Sequence, residues 1–518
     1  MIRKIIQLSI LMVTFSLSSG ALATTYYIDW VNGNDTNDGV TKSTPWKHAP
    51  GMQGCLITET NNNPCRARTH ASTSGDSIIL KGGVTWPSSA FSWDWYFGDS
   101  TYFGVDQTWY SGTSWSRPIL NAQGTEPTIS PQGMTSVMRA YGNSQTVDNI
   151  EFVGVAQLHG GTNGYGAIYL VIGTSSPSGG EVKNCYFHGW SHGGTATADN
   201  SVLVYSPQIG AGPDMNLTVH NNVWDGSDTT GDMAAAYKGS VGHFYNNYVG
   251  YVTNIFIDNN LGYVWGNTFY NIATSTLNRS CGGYPSGYFS FDCTMHGNTV
   301  ETYGIQYPIY NNSIQNVGGG ATFILYPNSS DTTYIFNNVI TNDTNQTMQL
   351  GAQSGGGTYY IFNNTIQNSQ NIGTINSGGG TFTLASIRNN QIVNLASGNI
   401  NVNASTLVVD HNVEQTSAQA TSAGYVANGY YPFYPPMGGA TVGAGTNLAA
   451  LAASIPVFLP SDPSTAALSD TTCGVKYDST NHKVIGPNRT AVLRGTKWDV
   501  GAYNRSIGVT LPSAPLVY

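Results

Sequence analysis

Apolar and polar residues alternate along most of this chain in short runs, the period-two pattern of β-strands. A recurring polar pair interrupts the alternation. FNNVITN at 336–342 and FNNTIQN at 362–368 are nearly the same seven residues, and YNNSIQN at 310–316 and RNNQIVN at 388–394 are close copies. Asn312, Asn338, Asn364 and Asn390 therefore fall 26 residues apart. Looser copies lie upstream at VDNIEF 147–152, VKNCYF 182–187, VHNNVW 219–224, FYNNYV 244–249, VWGNTF 264–269 and MHGNTV 295–300, and VDHNV 409–413 is the last. With the second Asn or its equivalent as position zero, the mean spacing is about 26 residues, although one step, 298 to 312, is only 14. A fixed period of this size means stacked units, each too small to bury its own apolar face.

The third residue before zero is apolar in every copy, from Val147 through Phe244 and Ile335 to Val409, and so is the second residue after it, from Phe152 through Trp224 to Ile392. Each unit thus predicts a strand that enters, a bend at the Asn pair, and a strand that leaves, both with one side chain aimed inward. Asn suits the bend because it tolerates the left-handed backbone region and its amide can both donate to and accept from the same Asn one unit away. A third strand is expected before each pair: SVLVYS 201–206, AAAYKG 234–239, NIFIDN 254–259, YFSFDC 288–293 and TFILYP 322–327. Three short strands per unit make a coil of a parallel β-helix, with coils ~4.8 Å apart. Propeller blades are longer, leucine-rich repeats need a Leu consensus, and a left-handed hexapeptide helix would show a six-residue rhythm.

With these repeats on the page, the chain resembles the right-handed parallel β-helix superfamily of exported, pectate-lyase-like bacterial proteins. YYIDWVNGNDTNDGVTKSTPW at 26–46 looks like the opening of such domains, SGDSIILKGG at 74–83 like their first coil, and VGAGTNL 442–448 with WDVGAY 498–503 like their closing segment. The fold class expected is all-β: a right-handed parallel β-helix with an N-terminal cap or insertion and a C-terminal closing segment. The resemblance implies fold and export, but it spans lyases, hydrolases, epimerases and non-catalytic proteins.

Composition narrows this reading. The opening MIRKIIQLSILMVTFSLSSGALA has basic residues, an apolar run and a small-residue cleavage site, so 1–23 reads as a signal peptide. Residues 24–146 are expected to hold the cap and first coils, 147–415 the Asn-marked coils, and 416–518 the closing segment. No later apolar run is long enough to span a bilayer, so no membrane insertion is expected. Only 9% of residues are charged and the net charge is −9, which leaves no basic footprint for nucleic acid. An extracellular polysaccharide is the expected partner, and cleavage by a lyase or a glycoside hydrolase the expected activity. A non-catalytic adhesin or glycan-binding β-helix is the rival.

Candidate chemistry falls on outward-facing positions. Between 140 and 475 the only cationic Lys and Arg residues are Lys183, Lys238, Arg279 and Arg388, too few for an Arg-rich polyuronate groove. Lys238 and Asp258 each lie nine residues before their position zero, and alternation adds Tyr205, Asp292 and Tyr326 to one outward column. Tyr205, Lys238, Asp258 and Asp292 are candidate catalytic groups: carboxylates one coil apart suit a retaining glycosidase, and Lys with Tyr suits a lyase. Equally, Lys238–Asp258 reads as a solvated ion pair. Tyr326, with a second column containing Lys183, His220, Tyr245, Trp265 and Arg388, is a candidate sugar surface, although stacked rings also serve to shield a sheet. Asp225, Asp228 and Asp232 in DGSDTTGD offer oxygens to Ca²⁺ but lack the EF-hand pattern, and read first as a solvated turn. His188 and His192 are spaced i, i+4 on no evident helix, a weak zinc signal. Trp86, Trp93, Trp95, Trp109 and Trp115 mark 86–115 as an aromatic insertion, either a cap or a sugar platform.

Six cysteines in an exported chain permit disulfides, and the short spacings select Cys55–Cys65 and Cys281–Cys293. Peptide mapping without reduction should recover both linked pairs. Finding all four residues as free thiols overturns the assignment.

Overall fold

The structure is a computed structural model that describes residues 23–56, 74–95, 98–125, 136–157, 168–173, 178–192, 202–206, 216–229, 235–239, 241–252, 254–256, 262–272, 300–303, 308–318, 322–326, 330–343, 347–351, 356–367, 372–375, 380–395, 400–426 and 431–505. Its strands fall into three long sheets of 13, 11 and 13 strands among the described residues, and every pairing within them is parallel. The chain visits the sheets in a fixed order. One coil runs through Leu217–His220 in sheet one, turns at Asn221–Asn222 into Val223–Asp225 in sheet three, crosses to Ala235–Lys238 in sheet two, and returns to sheet one at His243–Tyr245. This is a right-handed parallel β-helix.

The core follows the alternation. Val147, Val182, Val219, Phe244, Val264, Ile335, Ile361 and Ile387 are fully buried in sheet one, as are Phe152, Phe187, Trp224, Val249, Phe269 and Ile340 in sheet three. Like residues stack on like: Phe187 lies 5.0 Å from both Phe152 and Trp224, ring to ring. At the last coil the column reaches the surface, where Val409 is 45% exposed.

The two asparagines of each pair have different tasks. The first adopts the left-handed conformation, with φ of 55° at Asn221, 52° at Asn246, 56° at Asn337, 54° at Asn363 and 57° at Asn389. Gly266 takes its place once, with φ 65°. The second points inward and forms a ladder. Its Nδ2 donates to Oδ1 of the next Asn at 3.2 Å for Asn222–Asn247, 3.1 Å for Asn247–Asn267, 2.9 Å for Asn312–Asn338 and 3.0 Å for Asn338–Asn364, Asn364–Asn390 and Asn390–Asn412. Each amide also donates to a carbonyl of the preceding coil and accepts a backbone N–H, as Asn338 Nδ2 donates to Ile309 O and Asn364 Oδ1 accepts from Asn338 N. A buried primary amide is thereby satisfied at both ends. The ladder stops upstream at Cys185, a buried free thiol whose N–H donates to Asn222.

The irregular step resolves in favour of 312. Asn267 donates directly to Asn312 at 3.0 Å, so Asn298 is no rung. Val300–Tyr303 supplies the sheet-two strand of that coil, between Asn254–Phe256 and Phe323–Tyr326; the expected strand at 288–293 lies outside the described residues. A second, outer ladder joins Asn271, Asn316 and Asn342 at 2.8 and 3.0 Å.

Two expectations about the ends are corrected. Residues 86–115 are not an insertion, because Thr85–Trp86, Trp93–Trp95 and Tyr102–Gly104 are strands of sheets three, two and one. Trp86 and Trp93 are fully buried because they face the core, not a ligand. The N-terminal end is instead plugged by Trp46, Ala49, Met52 and Cys55, all buried in the main core cluster. Cys55 is disulfide-bonded; Cys65, Cys281 and Cys293 lie outside the described residues.

The closing segment does more than close. Residues 431–505 run back along the Asn corner and return. Asn389 exchanges hydrogen bonds with Thr446, Asn337 donates to Ala466 O and Ser469 O, Gly474 N donates to Asn311 O, and Arg117 reaches Asn481 O. On the return, Arg494 donates to Asn337 Oδ1 and four backbone carbonyls, and Gly501 N donates to Asn389 O. Along this path Leu448, Ala452, Ile455, Ala467 and Trp498 cover Tyr310, Tyr334, Phe336 and Phe362 on the outer face of sheet one.

Asn338→Ala should destabilise the fold by about 1–3 kcal/mol, because it strands buried partners on both sides. Asn342→Ala, on the exposed outer ladder, should cost less than about 1 kcal/mol. Thermal melts of the two variants give the comparison, and equal melting temperatures would remove the inner ladder as the stabilising element.

Candidate functional site

The expected catalytic column on sheet two does not assemble as counted. Tyr205 pairs with Lys238, but Lys238 pairs with Phe256, and Phe256 with Glu301. Lys238 lies five residues before His243, whereas Phe256 lies seven before Tyr263, the partner of His243, so equal counts back from the corner do not give equal positions. Glu301 in turn pairs with Ile324, which places Tyr326 two residues off the column, beside Tyr303. Tyr205 is fully buried, not solvent-facing. Asp258 and Asp292 lie outside the described residues.

The second column forms, with a different consequence. His220, Tyr245 and Trp265 stack at 4.6 and 4.2 Å with interplanar angles of 4° and 3°. Their faces are turned to one another and only edges face outward, so they offer a sugar no open ring face. Farther along, Tyr310, Phe336 and Phe362 continue the stack beneath the closing segment. Sheet shielding is what this geometry provides.

The densest chemistry lies on the outer face of sheet three. Alternation around the inward Phe187 and Trp224 points Glu151, Tyr186, His188, Asp225, Tyr248 and Tyr270 outward, and the register sets His188 beside Asp225 and Tyr186 beside Glu151. Over this face lies the hairpin Val475–Asp478 and Lys483–Pro487. Gly474 permits its approach: a Cβ there would lie 2.5 Å from Thr268 Oγ1. Thr268 Oγ1 then donates to Val475 O and accepts from Val475 N, fixing the hairpin like an added strand.

The hairpin brings two aromatic groups. The Tyr477 ring stacks on Tyr248 at 4.1 Å, its hydroxyl donates to Asp225 Oδ2 at 2.8 Å, and it meets His482 Nδ1 at 3.0 Å. His482 stacks on Tyr186 at 4.4 Å, and Tyr186 on His188 at 4.1 Å. Burial, then the Asp225 charge, raises the Tyr477 pKa and keeps the phenol protonated. Burial, then the charge on His188, lowers the His482 pKa. Burial alone would lower His188 too, but hydrogen bonds to Asp228 at 2.7 Å and Glu151 at 3.2 Å overcome it and raise the pKa to about 9.

These bonds revise the metal readings. His188 is protonated at neutral pH with both nitrogens donating, so it has no lone pair for zinc. Asp228 accepts from His188 and Gly189 N, and Asp225 from Ser227 N and Tyr477. Asp232 lies outside the described residues, and nothing is described of the His192 side chain.

Between sheet three and the hairpin is a cleft of about 330 Å³, bordered by Asp225, Tyr248, Tyr251, Tyr270, Gln315 and Tyr477. It opens where Gly250 stands between Asp225 and Tyr270 in the outward column; a Cβ there would meet the Tyr248 hydroxyl at 2.9 Å. Tyr251 and Tyr270, both half-buried, meet edge to face at 5.7 Å. Sequence reasoning had noted His188 and Asp225 but not Tyr477 or His482. The signal was present: VKYDSTNHKVIG reads as two short strands around a polar turn.

The class the fold defines is that of the parallel β-helix proteins. The sequence matches no family profile and no curated protein. Among solved structures, it is similar to a GH136 lacto-N-biosidase from Eubacterium ramulus at 12% identity and TM-score 0.38, covering 76% of this chain and 68% of that one. It is also similar to a rhamnogalacturonan lyase, at 11% identity and TM-score 0.36 over 75% and 87% of the chains, and to pectate lyase Pel9A, at 13% and 0.33 over 94% and 98%. At these values the comparisons carry no chemistry, and the fold rests on the sheets themselves.

Because the His188 pKa is raised above its unfolded value of roughly 6.5, its contribution to stability is complete below that pH and lost as pH rises through about 9. The loss should be on the order of 1–3 kcal/mol, reduced by solvent because Asp228 is half exposed. Melting temperatures measured from pH 6 to 9.5 should therefore converge for wild type and His188→Gln. A constant gap across that range would show that the clamp is not protonation-linked.

Proposed function

We propose that this protein is exported and acts on an extracellular polysaccharide, which it holds and cleaves in the cleft beneath the C-terminal hairpin. The observation that carries the reading is the cleft itself, where partly open tyrosine rings border a buried carboxylate. Tyrosines give sugars an apolar face and a hydroxyl together. The hydrogen-bonded chain Asp225–Tyr477–His482 supplies a carboxylate, a protonated phenol and a low-pKa imidazole in contact, the parts needed for acid–base cleavage of a glycosidic bond. The leader-like residues 1–23 support export. No described helix is long and apolar enough to cross a membrane.

The test is a glycan panel read for both reducing ends and absorbance at 235 nm. On any substrate found, Asp225→Asn should lower turnover by about a hundredfold or more, and Tyr477→Phe by at least about tenfold, with the fold intact by circular dichroism. Retention of a glycan without product would make the protein a glycan-binding β-helix. Loss of turnover in Lys238→Ala or Asp258→Asn but not in Asp225→Asn would move the site to sheet two.

A further inference from the structure

We infer that the cleft takes an uncharged, hydroxyl-rich glycan and not a uronate; the inference rests on the proposed glycan reading. No lysine, arginine or histidine side chain borders the cleft among the described residues, and its one full charge is the Asp225 carboxylate. The nearby cations are turned elsewhere. Arg117 donates to Asn184 O and Asn481 O, Arg489 is paired with Asp470 at 2.8 Å, and His188 is held between Asp228 and Glu151. Lys476 alternates away from the cleft-facing Val475 and Tyr477 and is exposed, as is Lys483.

The unfilled hydrogen-bonding capacity points the same way. Asn488 Nδ2 donates to Cys473 O at 2.7 Å and Val475 O at 3.1 Å, which fixes the amide orientation. Its Oδ1 is buried without a partner on the border of the cleft. Asp225 accepts one bond at each oxygen and retains a second lone pair on each. These open positions on Asn488 and Asp225 are acceptors, and they require donors. Sugar hydroxyls supply them. A uronate carboxylate would add acceptors and a like charge beside Asp225, with no cation to offset its desolvation.

The substrate class also limits the chemistry. β-Elimination removes the C5 proton of a uronate, with the adjacent carboxylate absorbing the charge, and leaves an unsaturated product. A neutral glycan lacks that carboxylate. Cleavage here is hydrolytic: the glycosidic C1–O bond breaks, the oxygen of water bonds to C1, one proton of water goes to the leaving oxygen, and the other stays on the new C1 hydroxyl.

The experiment pairs each acidic polysaccharide of a panel with its carboxyl-reduced form, alongside neutral polysaccharides, and measures affinity for the full-length secreted protein by titration calorimetry. Neutral members should bind at least about tenfold more tightly than their acidic partners, and product should register as reducing ends without absorbance at 235 nm. Asp225→Asn should weaken neutral ligands about tenfold through loss of a charged acceptor. Tyr270→Ala, which removes a half-buried ring, tests the same cleft without touching Asp225. Acidic ligands that bind as tightly as their reduced forms and depend on Tyr270, or tighter binding in Asp225→Asn, would overturn the inference while leaving the cleft as the glycan site. If no panel member's affinity depends on Tyr270 or Asp225, the cleft reading itself fails and the inference with it.

Discussion

One backbone constraint organises this protein: the left-handed residue between sheet one and sheet three. A non-glycine side chain in that conformation is costly, and Asn is among the few that accept it. Once the first Asn of each pair has turned, the second must face inward, where burial obliges its amide to find partners. The same Asn in the neighbouring coil is the nearest group that can donate and accept. The ladder that results holds register between sheets one and three, so Val219 falls over Phe244 and Trp224 over Val249 without adjustment. Sheet two has no such pin. Its register shifts between Ala235 and Lys238.

The same corner explains the course of the C-terminal segment. The amides of Asn337 and Asn389 remain outside the core and bind the segment as it passes. Binding it is useful, because Tyr310, Phe336 and Phe362 form an apolar stripe on the outside of sheet one that water would otherwise meet. Covering that stripe carries the chain from the last coils back to the early ones. The hairpin then reaches sheet three at Thr268, and Tyr477 reaches Asp225. The candidate site is thus a product of the closing segment, joining residues 252 positions apart.

Ring geometry decides which aromatic groups can meet a ligand. Parallel strands place identical positions one coil apart, a separation close to ring-stacking distance, so aromatic columns consume their own faces. This applies to His220–Tyr245–Trp265. The column breaks at Gly250, beside Tyr251 and Tyr270, which meet edge to face. The cleft lies at that break.

The sequence by itself determined the repeat, the coil, the inward columns and the Asn corner, because all of these are local patterns that recur. It also held the hairpin carrying Tyr477 and His482, though not the surface on which that hairpin lands. Register in sheet two was beyond it, since the stretch from Phe256 to Tyr263 is two residues longer than that from Lys238 to His243, which puts Phe256 and not Asp258 beside Lys238. So was the difference between 298 and 312 as corners, for both sequences carry an Asn in suitable company and only the hydrogen bond from Asn267 selects one. Tertiary structure alone decided what the outward residues do. Outward positions have no periodic partner to dictate their contacts, and what they meet depends on where a distant segment is anchored.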